Sequence, residues 1–154
     1  GQNFGAGKLD RVRKSMKICL GMALGASIGL SVILHFFGRY VYMLFTTDAQ
    51  VIDIGMQILY FLTPIYLTYV TIEVISGTVR SMGFVFTPML MTCGGVCVLR
   101  LLWLFIAVPQ NRTITNILFS YPLSWVVTSV LFIIYYIYLN KTGKIEAARE
   151  HSLV

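Results

Sequence analysis

The sequence predicts an all-α integral membrane protein with four transmembrane helices. Three observations carry that prediction. Apolar residues make up 57% of the 154 residues and charged residues only 12%, with a mean hydropathy of +0.79. A soluble domain carries roughly a quarter charged residues. The charges that remain bracket long uncharged runs, and Lys and Arg collect on one side of those runs. The net charge of +6 could suit a nucleic acid. However, the basic residues flank apolar runs and form no patch on a polar face, so no nucleic-acid partner is expected.

The spans follow from the charges. A bilayer core of ~30 Å needs ~20 apolar residues of helix. No charge lies between Lys17 and Arg39, where only His35 is polar enough to titrate. Asp53 and Glu73 enclose a second uncharged run, and from Ser81 to Asn111 only Arg100 interrupts. Between Arg112 and Lys141 there is no charge. These runs predict helices at about 16–38, 48–79, 84–107 and 115–139. Residues 1–15 are expected to form a cytoplasmic loop and 140–154 a cytoplasmic tail. Thr47 and Gln50 fit a capping box at the second span, with Asp48 in the first turn, where the helix dipole favours an anion.

Orientation follows from the basic residues. Lys8, Arg11, Arg13, Lys14, Lys17, Arg80, Lys141, Lys144 and Arg149 lie on one side, against Arg39 and Arg112 on the other. Both ends of the chain are therefore expected in the cytoplasm. Phe36, Phe37, Tyr40, Tyr42 and Phe45 at the outer end of the first span agree with this, as do Trp103 in the third span and Tyr135, Tyr136 and Tyr138 closing the fourth. Such rings prefer the headgroup level. Cys19, Cys93 and Cys97 all lie in apolar runs and form no disulfide framework. No His or carboxylate neighbours Cys93 and Cys97 to complete a metal site, so no metal or other cofactor is expected. The chain opens on a turn-like Gly1-Gln2-Asn3 with no signal peptide ahead of it, as a fragment would.

Within the spans a few residues stand out. Gly21, Gly25 and Gly29 line one face of the first helix and would let another helix approach closely. Pro64 removes a backbone bond inside the second span and kinks it, and in lipid the freed carbonyl must find a partner. Glu73 lies about 10 Å in from Arg80 at ~1.5 Å per residue. A carboxylate at that depth is neutral, paired, or facing a watery cavity. It is a candidate cation, proton or substrate contact, or else a protonated group bonding across helices. In a hairpin turning near Met82 and Gly83, Arg100 stands roughly 14 Å deeper than Glu73 at the same rise per residue, too far for a direct pair. It stands level with Pro64, where its guanidinium is expected to bind the freed carbonyls or to snorkel outward. His35 could titrate near neutrality. No nucleophile, base and orienting group cluster, and there is no phosphate loop or HExxH pattern, so an enzyme is not expected.

Five local stretches then converge. Gly1-Gln2-Asn3-Phe4-Gly5-Ala6-Gly7 followed by Arg11 resembles the cytoplasmic loop between the eighth and ninth helices of MATE transporters, the multidrug and toxic compound extrusion family. Phe45 to Ile54, FTTDAQVIDI, is similar to the family's stretch between helices nine and ten. Gly77-Thr78-Val79-Arg80-Ser81-Met82-Gly83 with Pro88 resembles its Gly-x-x-Arg-Gly-x-Gly…Pro turn between helices ten and eleven, with Ser81 where a second glycine is usual. Leu99-Arg100-Leu101 and Tyr121-Pro122-Leu123-Ser124-Trp125 continue the likeness in the same order and spacing, over nearly the whole chain.

The resemblance implies a twelve-helix, two-lobed transporter with a central cleft, of which this chain would supply helices nine to twelve. The missing N-terminal lobe would be its partner, together with the lipid bilayer and small organic substrates. Such proteins expel organic, often cationic, compounds in exchange for Na+ or H+ by rocking their lobes. An acid in the cleft would release the drug when it gains a cation or proton. Some branches place an acid in the tenth helix about one turn before Glu73, nearer Tyr69. Glu73 is thus the candidate coupling acid, with Tyr66 and Tyr69 on its face, and Tyr60 also offering a ring to a cation. A bacterial inner (plasma) membrane is the expected location. Two rivals remain: a lipid-linked sugar flippase of related architecture, whose cleft would want several basic groups, and a small four-helix structural protein.

Overall fold

The computed structural model describes residues 1–152; the last two residues of the expected tail, 153 and 154, lie outside the described residues. Every regular element among the described residues is helical. Three helices are long and apolar enough to cross a membrane, and a bent pair of helices makes a fourth where it is taken as one span. The chain is an all-α, multi-pass membrane protein.

The N-terminal segment is less irregular than expected. A single helical turn, α1 (Gln2–Gly5), sets Phe4 into the core at 5% exposure. Gly7, at φ +70°, then reverses the chain into α2 (Leu9–Met43). At 1.5 Å per residue the 35 residues of α2 run about 52 Å, well beyond the ~30 Å hydrocarbon core. The uncharged run marked only the apolar part. The helix also takes in Leu9–Lys17, because Lys and Arg are good helix formers and no proline or glycine interrupts.

The second span differs from expectation at its start. Asp48, rather than Thr47, is the N-cap of α3 (Ala49–Leu62). Its Oδ1 accepts the backbone N–H of Gln50 at 2.8 Å and of Val51 at 3.4 Å. Thr46 Oγ1 in turn accepts the Asp48 N–H. A carboxylate at the N-cap satisfies the orphan donors directly and leaves Gln50 no capping-box role.

The kink at Pro64 is present. α3 gives way at Thr63–Ile65 to α4 (Tyr66–Ser81), which leaves at 54°. At the bend Thr63 Oγ1 donates to Leu59 O at 2.8 Å and Thr68 Oγ1 to Ile65 O at 2.7 Å, carbonyls that also accept the backbone N–H of Thr63 and Thr68; the carbonyl that Pro64 deprives of a donor is that of Tyr60. α4 closes at Met82, and Gly83 at φ +93° makes the hairpin turn where it was expected.

The third span, α5 (Phe86–Ile106), carries a π-helical stretch at Cys93–Val98. The fourth, α6 (Ile114–Lys141), starts at Thr113, whose hydroxyl accepts the Asn116 N–H. It slackens at Phe119, because Pro122 has no N–H to return to Leu118. The α5–α6 turn is closed by Asn116, whose Nδ2 donates to Ala107 O and Asn111 O, and by Trp103 Nε1, which donates to Asn116 O. After Gly143, at φ +65°, the expected tail folds into an amphipathic helix, α7 (Lys144–Ser152).

α4 lies between α2 and α6, and α5 packs on the far side of α6. Trp125, Phe132 and Leu139 recur every seven residues on α6 and face Ile72, Ile75 and Val79 of α4. Phe4, Val12, Met82 and Ile145 extend that core toward the end where both termini lie. At this end Arg13 Nη2 meets Glu146 Oε1 at 3.1 Å. Lys144 donates to the Tyr138 hydroxyl at 2.9 Å, a bond that raises the lysine's pKa. At the opposite end α2 and α3 pack against each other, joined by an Arg39–Asp53 pair at 2.9 Å.

Candidate functional site

The polar residues singled out in the sequence converge on α4 and α6 around Trp125. The Trp125 ring lies 5.4 Å from Tyr66, 5.4 Å from Tyr69 and 5.5 Å from Tyr121, centre to centre. Tyr66 and Tyr69 lie 5.5 Å apart. Helical spacing produces this cluster. Tyr66 and Tyr69 are three apart on α4, Tyr121 and Trp125 four apart on α6, so each pair shares a face. Glu73 is one turn beyond Tyr69, on the exposed surface of α4. The aromatic wall and the acid therefore form one continuous strip along α4.

A cleft of about 490 Å³ opens on this strip between α2, α3, α4 and α6. Tyr66, Tyr121 and Trp125 form one wall, and Ser27, Ser31 and Thr63 add hydroxyls. No charged side chain lines it. Tyr69 and Glu73 lie outside its lining, Tyr69 being packed against Tyr66 and Trp125. Tyr60 belongs elsewhere. Its ring lies 4.5 Å from His35 in a separate hollow of about 340 Å³ that Pro64 also lines.

Arg100 corrects its expectation. It does not bind carbonyls at the Pro64 kink. Its guanidinium carbon sits 4.0 Å from the centre of the Tyr121 ring, and Nη2 donates to Ser124 Oγ at 3.3 Å. The π-helical stretch explains the difference. A wider turn at Cys93–Val98 shifts every later side chain around the axis relative to an α-helix. Arg100, two residues on, points at α6 instead of α3 and α4. Ion pairing with Glu73 is absent, as the depth argument required; the ion pairs among the described residues are Arg13–Glu146 and Arg39–Asp53.

The same stretch brings α5 onto α6. Gly95 lies against Thr128, whose hydroxyl donates to Ser124 O at 2.6 Å. Ser124 thus receives Arg100 through its hydroxyl and Thr128 through its carbonyl. Cys93 and Cys97 are free and exposed. The Gly21, Gly25 and Gly29 face also lies open: a Cβ at any of the three would meet nothing within 4 Å.

Sequence reasoning named Tyr66, Tyr69 and Glu73 as candidates but missed Trp125 and Tyr121 as the neighbours of the two rings. The signal was their four-residue spacing, which sets two aromatic side chains on one face of a span. The close contact of Gly95 with Thr128 had no such signal, because it depends on the π turn.

The MatE family model matches residues 1–106, more than half of the chain, covering the first three spans and Arg100. Neither a curated protein nor a solved structure matches the chain. The matched region contains the Gly-rich opening, the hairpin turn at Gly83 and the strip bearing Tyr66, Tyr69 and Glu73. The chain belongs to the MatE family, a family of membrane transporters.

Proposed function

We propose that this chain forms helices nine to twelve, part of the second six-helix lobe, in a secondary active antiporter that exports organic, often cationic, compounds in exchange for Na+ or H+. The observation that carries the reading is the strip on α4, where Glu73 stands exposed on a membrane span one turn from an aromatic wall. Such a carboxylate is costly against lipid and favourable against a cation or a watery cleft. Ring faces attract organic cations by about 0.5–2 kcal/mol each, more when water is excluded. Substrate cation and coupling ion then compete for one negative charge, which links release of one to uptake of the other.

The remaining roles follow from this reading. The open Gly21–Gly25–Gly29 face receives another helix of the bundle. The partner of the α4 strip across the cleft is the other lobe, and both termini of this chain face the cytoplasm of a plasma membrane. Rocking of the lobes draws on the bend at Pro64 and the π turn in α5, two places where the backbone ladder is already interrupted. A flippase for a pyrophosphate-linked sugar would need several basic groups in the cleft. Arg100, the sole basic residue in the interior of the spans, is engaged with Tyr121 and Ser124.

Replacing Glu73 with Gln in the intact transporter tests this reading. The substitution keeps the shape and removes the charge. Drug resistance is expected to fall to the level of cells lacking the transporter, at unchanged membrane expression. Undiminished resistance would remove Glu73 from the pathway.

A further inference from the structure

The end of the molecule where both termini meet holds a hollow that the transport reading does not use. It has a volume of about 580 Å³ and is lined by Lys8, Asp10, Arg11, Arg13 and Glu146, together with Gly7 and Leu9. Three cations face two carboxylates, leaving one net positive charge. Arg13 is held by Glu146 Oε1 at 3.1 Å, whereas Lys8 and Arg11 are exposed and belong to no ion pair among the described residues. Glu146 Oε2 has no hydrogen-bond partner among the described residues, while the side chain as a whole is 42% exposed. A carboxylate with an acceptor to spare suits a ligand carrying a donor as well as a negative charge.

Its depth identifies the kind of ligand. Lys17 is the last charge before the uncharged stretch of α2. Arg13 lies about 6 Å and Lys8 about 14 Å beyond it, at 1.5 Å per residue. The headgroup zone extends roughly 5–8 Å from the hydrocarbon on each side. Arg13 is within that zone, and the long side chains of Lys8 and Arg11 reach back to it. We propose that this hollow binds the headgroup of an anionic phospholipid bearing hydroxyl donors, of the phosphatidylglycerol type. The phosphodiester meets Lys8 and Arg11, and a headgroup hydroxyl donates to the exposed part of the Glu146 carboxylate. Arg13 stays on Oε1 and fixes the carboxylate. Phosphatidylcholine offers no donor and no net charge, and Asp10 at the rim disfavours more highly charged headgroups.

The test is a titration of single lipids onto the intact transporter in phosphatidylcholine nanodiscs, at 0.5 M salt to screen diffuse surface attraction. A saturable site for phosphatidylglycerol is expected. Lys8→Gln with Arg11→Gln should weaken it about tenfold per cation removed, as loss of a direct bond to a charged group does. Lys14→Gln with Lys17→Gln removes the same charge from the same helix outside the hollow and should change affinity less than twofold. Equal losses in the two pairs would mean diffuse attraction and overturn the site. A phosphatidylmethanol lipid, equal in charge but without hydroxyls, should bind more weakly; equal binding would overturn the role of Glu146. Soluble glycerol phosphate separates the sources. If it competes at the lipid's own concentration, the ligand is a free phosphate ester and the lipid proposal falls.

Discussion

Replacing Gly95 with Ala should separate α5 from α6. A Cβ built on Gly95 overlaps Thr128 Oγ1 and lies 3.0 Å from Thr128 Cβ and 3.2 Å from Cγ2, where ordinary contact begins at 3.4 Å. Thr128 is fully buried and cannot swing aside, because it is β-branched and its hydroxyl is bonded to Ser124 O at 2.6 Å. The helices must therefore part, and overpacking of this kind costs about 1–3 kcal/mol. Gly94 provides the control. It sits in the same π stretch, and a Cβ there meets nothing within 4 Å. Gly94→Ala should leave stability unchanged or raise it slightly, since alanine is the better helix former. Thermal unfolding of the intact transporter in detergent, followed by intrinsic tryptophan fluorescence, reads both effects. Thr128→Gly in the Gly95→Ala background removes the overlapping atoms and should recover most of the loss. The reasoning is refuted if Gly95→Ala is as stable as the parent, or if the double variant is no better than the single.

Two further outcomes concern the end where the termini meet. Ile145 is 3% exposed among Phe4, Val12, Met82 and Leu139, so Ile145→Asp should undock α7 rather than bury a charge. Amide hydrogen exchange should then rise across α7 and α1 while α4 and α6 stay protected. The Arg13–Glu146 pair is about 40% exposed on both sides, which limits its contribution to about 1 kcal/mol or less. Arg13→Glu should lower stability by that amount, the swap with Glu146→Arg should restore it, and 1 M salt should erase the difference.

Much of the fold was legible from charge spacing alone. The limits of the uncharged runs located each span, because a charge inside hydrocarbon is expensive whatever the tertiary context. The Pro64 kink and the Gly83 turn were legible too, since each follows from one residue's backbone chemistry. What escaped were features set by contacts distant in sequence. Residues 1–15 and 140–154 read as polar loop and tail, yet Phe4, Val12 and Ile145 make helices there because each has a core to enter. The close approach of Gly95 to Thr128, thirty-three positions away, comes with the π turn in α5. It also decided the fate of Arg100. Depth counting placed that residue level with Pro64, but only the azimuth after the π turn sends it to Tyr121 and Ser124. The candidate strip of Tyr66, Tyr69 and Glu73 was found because it lies within one helix; Tyr121 and Trp125 completed it from another.

Transport itself tests the central claim most directly. The intact transporter is reconstituted in liposomes with a fluorescent aromatic cation, and a Na+ or H+ gradient is imposed across the membrane. The account predicts that the cation moves against the direction of the ion, that collapsing the gradient stops it, and that Glu73→Gln abolishes the coupling. Movement of the cation that is indifferent to both gradients and to Glu73 would contradict it.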